Sequence, residues 1–141
     1  MGDEELHVRD GAESDLDSIR RIQAASPQAA QWDVRDYLKY DLLVVTWEEC
    51  LAGFAVSRTV AGGENELLNL AVDPVFRRKG VARRLVEELT TRHPGTLWLE
   101  VRESNANARN FYKQLGFSEV GIRSAYYPDS CESAIVMNVH S

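Results

Sequence analysis

Apolar residues recur along the chain at two spacings. A spacing of two residues predicts a strand, and a spacing of three or four predicts a helix. Segments in which apolar and polar residues alternate, or in which β-branched residues cluster, predict strands. They comprise a short strand at Leu6 and Val8 and six longer ones at residues 42–47, 51–60, 66–72, 97–102, 117–126 and 133–139. The short turns between the second, third and fourth strands predict an antiparallel meander.

Apolar residues spaced three and four positions apart predict four helices. In the first helix, Ser14 and Asp17 resemble a capping box. Its apolar stripe consists of Leu16, Ile19 and Ile22. A short second helix follows Asp33 as its N-cap, and longer helices cover residues 80–91 and 105–115. This order of elements predicts an α/β fold: a single mixed sheet of about seven strands with about four helices on both faces.

Charge is distributed unevenly along the chain, whose length suits one domain over residues 1–141. Sixteen Lys and Arg against 22 Asp and Glu give a net charge of −6, which disfavours direct binding of nucleic acid. Residues 77–84 nevertheless hold five basic side chains and no acid, so the rest of the chain carries −11. This patch predicts a local anion site. The alternative is a solvated basic turn at the start of an ordinary helix.

The sequence also disfavours several classes of protein. No apolar run approaches the roughly 20 residues that span a bilayer, and residues 1–6 are acidic and lack the basic and apolar regions of a signal peptide. Cys50 and Cys131 have no neighbouring Cys or paired His, so neither a metal site nor a disulfide scaffold is predicted. We therefore expect a cytoplasmic protein with reduced cysteines and no membrane partner.

The segment from residue 70 to residue 82 combines a strand, a basic loop with a glycine and the start of a helix. The first amides of a helix have no partner within the helix, and the helix dipole makes this end positive. Such a turn is suited to a pyrophosphate group. The segment contains neither the Walker motif nor the Gly-x-Gly-x-x-Gly dinucleotide fingerprint.

Several motifs in this half of the chain resemble one family. Arg77-x-x-Gly80-x-Ala82 resembles the Gln/Arg-x-x-Gly-x-Gly/Ala acetyl-CoA motif of the GNAT N-acetyltransferases. Residues 97–108, 112–117 and 126–128 closely resemble the ribosomal-protein alanine N-acetyltransferases (RimI type), and the resemblance extends over about residues 53–137. It implies a GNAT fold, in which the mixed sheet is strongly bent and splays open beside the basic loop.

The resemblance also implies roles for individual residues. Glu100 matches the family's general base and Tyr112 its general acid, while Tyr126 and Tyr127 match a loop that lines the acceptor groove. The chain departs from the family after the first helix: where the family often has a Phe-Pro-Trp stretch beside the acceptor peptide, this chain has residues 26–32, and Trp32 is the residue there that we expect to contact the substrate. The residues implied to bind acetyl-CoA are Leu70, Ala71, Val72, Arg77, Arg78, Lys79, Gly80, Val81, Ala82, Arg83 and Asn105.

The residues taken by themselves leave alternatives open. Alternation along residues 97–102 places Glu100 on the face opposite Leu97, Leu99 and Val101, where it is either a base or the partner of a nearby arginine. A helical tyrosine such as Tyr112 is commonly a core residue. Tyr126 and Tyr127 also fit an aromatic pair that packs on the core at a strand end.

The resemblance, taken with these residues, implies an acetyl-CoA-dependent N-acetyltransferase that acts by direct attack in a ternary complex. At about pH 7.4, deprotonating an α-amine costs roughly 0.5 kcal/mol and deprotonating a lysine about 4 kcal/mol. We therefore expect the α-amino group of a protein or peptide N-terminus as acceptor, with ribosomal proteins among the candidates, and a monomer or weak dimer. The alternatives are a small-amine or lysine N-acetyltransferase and a non-catalytic acetyl-CoA-binding module.

Overall fold

The computed structural model describes residues 5–140, so residues 1–4 of the acidic start lie outside the described part. The seven strands are β1 (Leu6–Asp10), β2 (Asp41–Trp47), β3 (Cys50–Thr59), β4 (Asn65–Val72), β5 (Thr96–Arg102), β6 (Ser118–Tyr127) and β7 (Glu132–His140). They form one mixed sheet in the order β1-β2-β3-β4-β5-β7-β6. This confirms the predicted seven-stranded α/β architecture.

Three α-helices and a six-residue 3₁₀ helix account for the four predicted helices. The α-helices are α1 (Leu16–Ala24), α2 (Val81–Arg92) and α3 (Ala106–Gln114), and shorter 3₁₀ turns cover Glu13–Asp15, Ala61–Gly63 and Pro74–Phe76. The 3₁₀ helix Val34–Lys39 begins after Asp33, whose carboxylate accepts a hydrogen bond from Arg35 N at 3.0 Å. Asp33 is therefore the N-cap, as predicted.

The predicted capping box at the start of α1 is wrong. Neither Ser14 nor Asp17 caps the helix: Asp17 bonds to Arg20 at 2.9 Å, and it is Asp15 that accepts from the Ala12 amide at 2.8 Å. The 3₁₀ turn ahead of α1 moves the capping contact to these residues. Arg9 holds the same Asp15 carboxylate through two bonds of 2.8 Å, which joins β1 to the start of α1.

Apolar residues bury both faces of the sheet, because adjacent residues of a strand point to opposite sides. Leu42 and Val44 belong to a core under α1 and the 3₁₀ helix. The other members of that core include Leu16, Ile19, Ile22, Tyr37, Phe54 and Val56. Leu43 and Val45 belong to a second core under α2 and α3. Its other members include Leu85, Leu89, Leu99, Ala108, Phe117 and Met137.

β4 and β5 are the only adjacent parallel strands in the described sheet, and they separate after two residue pairs. Asn65 pairs with Leu97 and Glu66 with Trp98, whereas β5 then pairs along its whole length with β7. The edge of β4 beyond Glu66 therefore faces a gap in the sheet, which agrees with the predicted splay. Within residues 5–140, no helix is long and apolar enough to cross a membrane.

Candidate active site

A cleft of about 600 Å³, here called the basic cleft, lies between the start of α2 and the side of α3. Seven of the predicted cofactor-binding residues line it: Val72, Arg77, Arg78, Gly80, Val81, Ala82 and Arg83. Asn107, Asn110 and Phe111 of α3 form the opposite wall. The structure thus brings the basic loop and α3 together around one concave surface.

The basic cleft contains cations that lack counter-charges. Among residues 5–140, ion pairs engage every Lys and Arg side chain except Arg77, Arg78, Lys79 and Arg83. The ammonium of Lys79 lies 5.1 Å from the centroid of the Trp47 ring, so a cation–π contact directs it toward β2. Three uncompensated guanidinium groups therefore remain at the basic cleft, and they favour an anionic ligand.

The backbone at the start of α2 also makes the basic cleft suitable for an anion. Gly80 has a left-handed φ of +81°, and a Cβ there would meet nothing within 4 Å, so its backbone conformation and not crowding explains the glycine. The first helical bond of α2 runs from Arg84 N to Gly80 O at 2.9 Å. The amides of residues 81–83 are therefore available to a ligand.

The start of α2 packs closely against the sheet because residue 53 is a glycine. A Cβ on Gly53 would lie 2.8 Å from Val81 Cγ1 and 2.9 Å from Ala71 O. Both distances are shorter than van der Waals contact, so a larger residue would push α2 away from β3. Gly53 thereby fixes the distance between the basic cleft and the open edge of β4.

Leu70, Ala71 and Val72 of β4, which are predicted to present backbone groups to the cofactor, direct their amides to different sides of the strand. Asp73 N donates to Ala52 O at 2.8 Å, and alternate residues of a strand direct their polar groups to the same side. Ala71 therefore directs its amide toward β3, while Leu70 and Val72 direct theirs into the gap. Leu70 N is already bonded to Asn69 Oδ1 at 3.0 Å. Val72 consequently supplies the free amide of this trio.

A second cleft, of about 610 Å³, occupies the gap between β4 and β5 and is here called the carboxylate cleft. The structure brings six predicted site residues together in it: Glu100, Asn105, Tyr112, Tyr126, Tyr127 and Trp32. Gln28 lines both clefts, so the two sites adjoin. Of the predicted residues, Leu70, Ala71 and Lys79 line neither cleft.

Glu100 lies on the face predicted from the alternation in β5. Leu97, Leu99 and Val101 are buried in the core under α2 and α3, so Glu100 points to the opposite face. Its side chain is 17% exposed, and its Oε2 atom lies 2.9 Å from Arg123 Nε. This oxygen is buried and forms no hydrogen bond within the described chain. Glu100 therefore has the arginine partner of the alternative interpretation and also an unsatisfied acceptor in a cleft.

Tyr112 reaches the carboxylate cleft from α3 on the other face of the sheet, which the gap between β4 and β5 makes possible. Its ring packs edge-on against Phe111 and Phe117, with centroids 5.2 and 5.6 Å away. Burial raises the pKa of the Tyr112 hydroxyl above its usual value. The hydroxyl is therefore protonated at neutral pH.

Two tyrosines near the β6–β7 turn form the rim of the carboxylate cleft. Tyr126 and Tyr127 pack edge-to-face with ring centroids 5.1 Å apart. Arg123 lies 5.4 Å from the centre of the Tyr126 ring, and Arg102 lies 4.1 Å from that of Tyr127. Arg102 also pairs with Asp129 at 3.0 Å. Stacking on arginines therefore holds these rings beside the cleft instead of in the core.

Asn105 begins α3 and does not line the basic cleft. Its Oδ1 atom accepts a hydrogen bond from Ala108 N at 3.0 Å, which makes it the N-cap of that helix. The capping bond uses the side-chain oxygen, and the residue lines the carboxylate cleft. Contact between Asn105 and a cofactor stays a prediction, as do the catalytic roles of Glu100 and Tyr112.

Sequence reasoning missed the residues that support the two clefts. Arg123 was not singled out because it follows Glu100 by more than twenty positions and approaches it only through sheet pairing. Asn69 and Gln23 form a buried hydrogen-bonded cluster with Tyr37 under the carboxylate cleft. A polar Asn69 inside the otherwise apolar run of residues 67–72 is the signal that would have identified the cluster.

Comparison with known proteins agrees with this arrangement of strands and clefts. The model of the acetyltransferase (GNAT) family matches residues 13–117. The chain therefore belongs to the GNAT family and is an N-acetyltransferase, with the splayed sheet of that fold.

The similarity extends to a narrower group. The chain is 47% identical over 105 residues to a [ribosomal protein bS18]-alanine N-acetyltransferase of Salmonella typhimurium, covering 70% of each protein. The crystal structure of the ribosomal-protein-S18-alanine N-acetyltransferase from Escherichia coli superposes with a TM-score of 0.72 at 35% identity, over 95% of this chain and 92% of the other. A Bacillus subtilis acetyltransferase in complex with CoA, at 17% identity, shares the fold with a TM-score of 0.74 over 96% and 99%.

Proposed function

We propose that this protein transfers an acetyl group from acetyl-CoA to the α-amino group of a protein N-terminus, and that the acceptor is a ribosomal protein. The observation that carries the proposal is the adjacency of the two clefts at the gap between β4 and β5. One cleft presents unpaired cations and the other presents Glu100 with Tyr112. The similarity to the bS18-alanine N-acetyltransferases supports the choice of acceptor.

The residues of the basic cleft fit the phosphates of acetyl-CoA. Arg77, Arg78 and Arg83 have no carboxylate partner among residues 5–140, and the amides at the start of α2 are free. These groups would hold the pyrophosphate, and the open edge of β4 at Val72 would lie along the pantetheine arm. When bound, acetyl-CoA supplies a thioester carbonyl to the attacking amine.

Three groups of this chain would serve the transfer. The Glu100 carboxylate, which lines the carboxylate cleft, would accept a proton from the amine, directly or through a water. The Tyr112 hydroxyl, kept protonated by burial, would donate a proton toward the departing sulfur. The Val72 amide would donate to the acetyl oxygen as negative charge develops on it.

The energetics of the acceptor favour an N-terminus over lysine. An α-amine is deprotonated at neutral pH for roughly 0.5 kcal/mol, against about 4 kcal/mol for a lysine, and one buried carboxylate suffices for the smaller task. The carboxylate cleft is lined by Trp32, Tyr126 and Tyr127 and holds about 610 Å³. This surface suits the first residues of an extended chain.

Transfer assays with defined acceptors test the proposal. Peptides that begin with Ala, Ser, Met or Gly are incubated with acetyl-CoA, and CoA release is measured together with the mass of the product. We expect acetylation at the α-amine, and none on a peptide whose N-terminus is blocked and whose only amine is a lysine. Turnover confined to the lysine peptide or to a small amine would contradict the proposal, and so would tight acetyl-CoA binding without any transfer.

A further inference from the structure

One wall of the carboxylate cleft is a segment without regular secondary structure, and buried side chains, Asn69 first among them, bind its backbone. Residues 29–32 line the cleft and join α1 to the 3₁₀ helix. Asn69 on β4, 2% exposed, lies beneath this segment and is itself among the residues that line the cleft. Its Oδ1 atom accepts from Ala30 N at 3.1 Å, and its Nδ2 atom donates to Ala30 O at 2.9 Å. The Asn69 amide therefore binds both backbone groups of Ala30, as a neighbouring strand would.

Two further buried side chains extend this anchor. Asn69 Nδ2 also lies 2.9 Å from the Tyr37 hydroxyl and 3.1 Å from Gln23 Oε1, so its two N–H groups are shared among three acceptors, while the Tyr37 hydroxyl donates to the same Gln23 oxygen. Gln23 Nε2 in turn donates to Trp32 O at 2.7 Å. The backbone of the wall is thus fixed at Ala30 and at Trp32 by one connected amide cluster.

Asn69 also affects which backbone amides of β4 are available to acetyl-CoA in the gap. The register between β3 and β4 shifts where Val56 pairs with Asn69 and Ser57 with Leu67, so Leu68 is the extra residue of a β-bulge. Immediately after the bulge, Asn69 Oδ1 accepts from Leu70 N at 3.0 Å. This bond engages an amide that otherwise faces the gap and leaves Val72 as the free donor.

We propose that Asn69 is a positioning residue for the acceptor: it fixes the backbone of residues 30–32 in the shape against which the first residues of the peptide bind. The proposal rests on the proposed function, because it concerns the acceptor of that reaction. A merely structural Asn69 would affect stability alone. A positioning Asn69 affects the KM for the peptide more than kcat or the affinity for acetyl-CoA, because the segment it holds lines the carboxylate cleft.

The test compares Asn69→Ala with Asn65→Ala. Asn65 is a matched control, since it lies on the same strand, is 3% exposed and bonds through its side chain to Thr59 at 3.0 Å, away from the acceptor wall. We expect Asn69→Ala to raise the peptide KM about tenfold, which corresponds to the loss of one or two buried hydrogen bonds. We expect acetyl-CoA affinity to change less than about twofold. Asn65→Ala should leave the peptide KM unchanged, with a smaller fall in Tm because its side chain forms fewer hydrogen bonds than that of Asn69.

Tyr37→Phe provides a second variant that keeps the fold. It removes only a hydroxyl, and Tyr37 does not line the carboxylate cleft, so any effect on the acceptor must pass through Asn69 and Gln23. We expect a smaller rise in peptide KM in the same direction. An unchanged peptide KM in Tyr37→Phe and in folded Asn69→Ala, with an active wild type, would overturn the positioning role alone. A wild type that acetylates no peptide would overturn the proposed function and this role with it.

Discussion

Arg123 Nε lies 2.9 Å from Glu100 Oε2, yet this carboxylate oxygen accepts no hydrogen bond within the described chain. The arginine therefore neutralises the charge without filling the acceptor site of the oxygen. Its side chain is 60% exposed and also stacks over Tyr126. Arg123 thus links the candidate base to the aromatic rim of the carboxylate cleft.

Replacing Arg123 is expected to affect both activity and stability. Arg123 is 60% exposed but Glu100 only 17%, so Arg123→Ala leaves a mostly buried carboxylate without its counter-ion and should lower Tm. The kcat/KM for a peptide should fall about three- to tenfold, or roughly 0.6–1.4 kcal/mol of transition-state stabilisation, since both Glu100 and Tyr126 lose a partner. Arg20→Ala, which removes an exposed arginine paired only with Asp17, is the control. Equal kcat/KM values for the two variants would contradict this role.

Glu100→Gln should lower kcat by about 10²- to 10⁴-fold, the usual contribution of a general base. The affinity for acetyl-CoA, measured by calorimetry, should stay the same because Glu100 lines the other cleft. Glu66→Gln offers a matched control, since Glu66 lines the same cleft but is bonded to Arg58 at 2.8 Å. A similar loss in both variants would indicate that the charge of the cleft matters and that Glu100 is not the base.

The sequence predicts the local features of this site and misses the long-range ones. Alternation in β5 is sufficient to place Glu100 on the open face, because side-chain direction depends only on strand period. Arg123 is different: it belongs to β6, and it approaches Glu100 only because β7 inserts between β5 and β6. No spacing in the sequence encodes that order of strands.

The basic loop is a second case in which the sequence predicts a feature but not the contacts of its individual residues. Its five charges and its glycine predict an anion site, but they do not distinguish between the individual cations. Lys79 lies over Trp47, and Arg84 pairs with Glu88 at 3.0 Å, so only part of the cluster lines the basic cleft. Which cations remain free depends on partners on β2 and on the next turn of α2.

The difference between Arg78, which has no carboxylate partner, and Arg84, which has one, predicts different effects of their removal on the affinity for CoA. Arg78→Ala removes an unpaired guanidinium from the basic cleft and should raise the Kd for CoA about tenfold at low ionic strength, with a smaller effect at high salt. Arg84→Ala removes a cation that already has a carboxylate partner and should change the Kd less than about twofold. Titration calorimetry at two salt concentrations checks both values. Equal increases in Kd for the two variants would mean that the net charge of the loop determines the affinity for CoA, and not the position of each cation in the cleft.

Tyr112→Phe should lower kcat by about 10²- to 10⁴-fold while the protein keeps its fold. The hydroxyl forms no hydrogen bond to another of residues 5–140, and the phenylalanine ring retains the edge contacts with Phe111 and Phe117. The peptide KM and the Kd for acetyl-CoA should change little. Steady-state kinetics and a thermal melt check this, and an unchanged kcat would remove the acid role from Tyr112.

The same substitution should change how stability depends on alkaline pH. Burial raises the pKa of Tyr112 in the folded protein, whereas the unfolded chain titrates near the usual value of about 10. Above that pH the unfolded state releases a proton that the folded state retains, so this group stabilises the fold fully below pH 10 and progressively less as pH rises. Between pH 10 and 11.5, wild-type stability should fall more steeply than that of Tyr112→Phe, by up to about 1.4 kcal/mol per pH unit. Urea unfolding at constant ionic strength measures both slopes, and parallel curves would show that Tyr112 titrates alike in the two states.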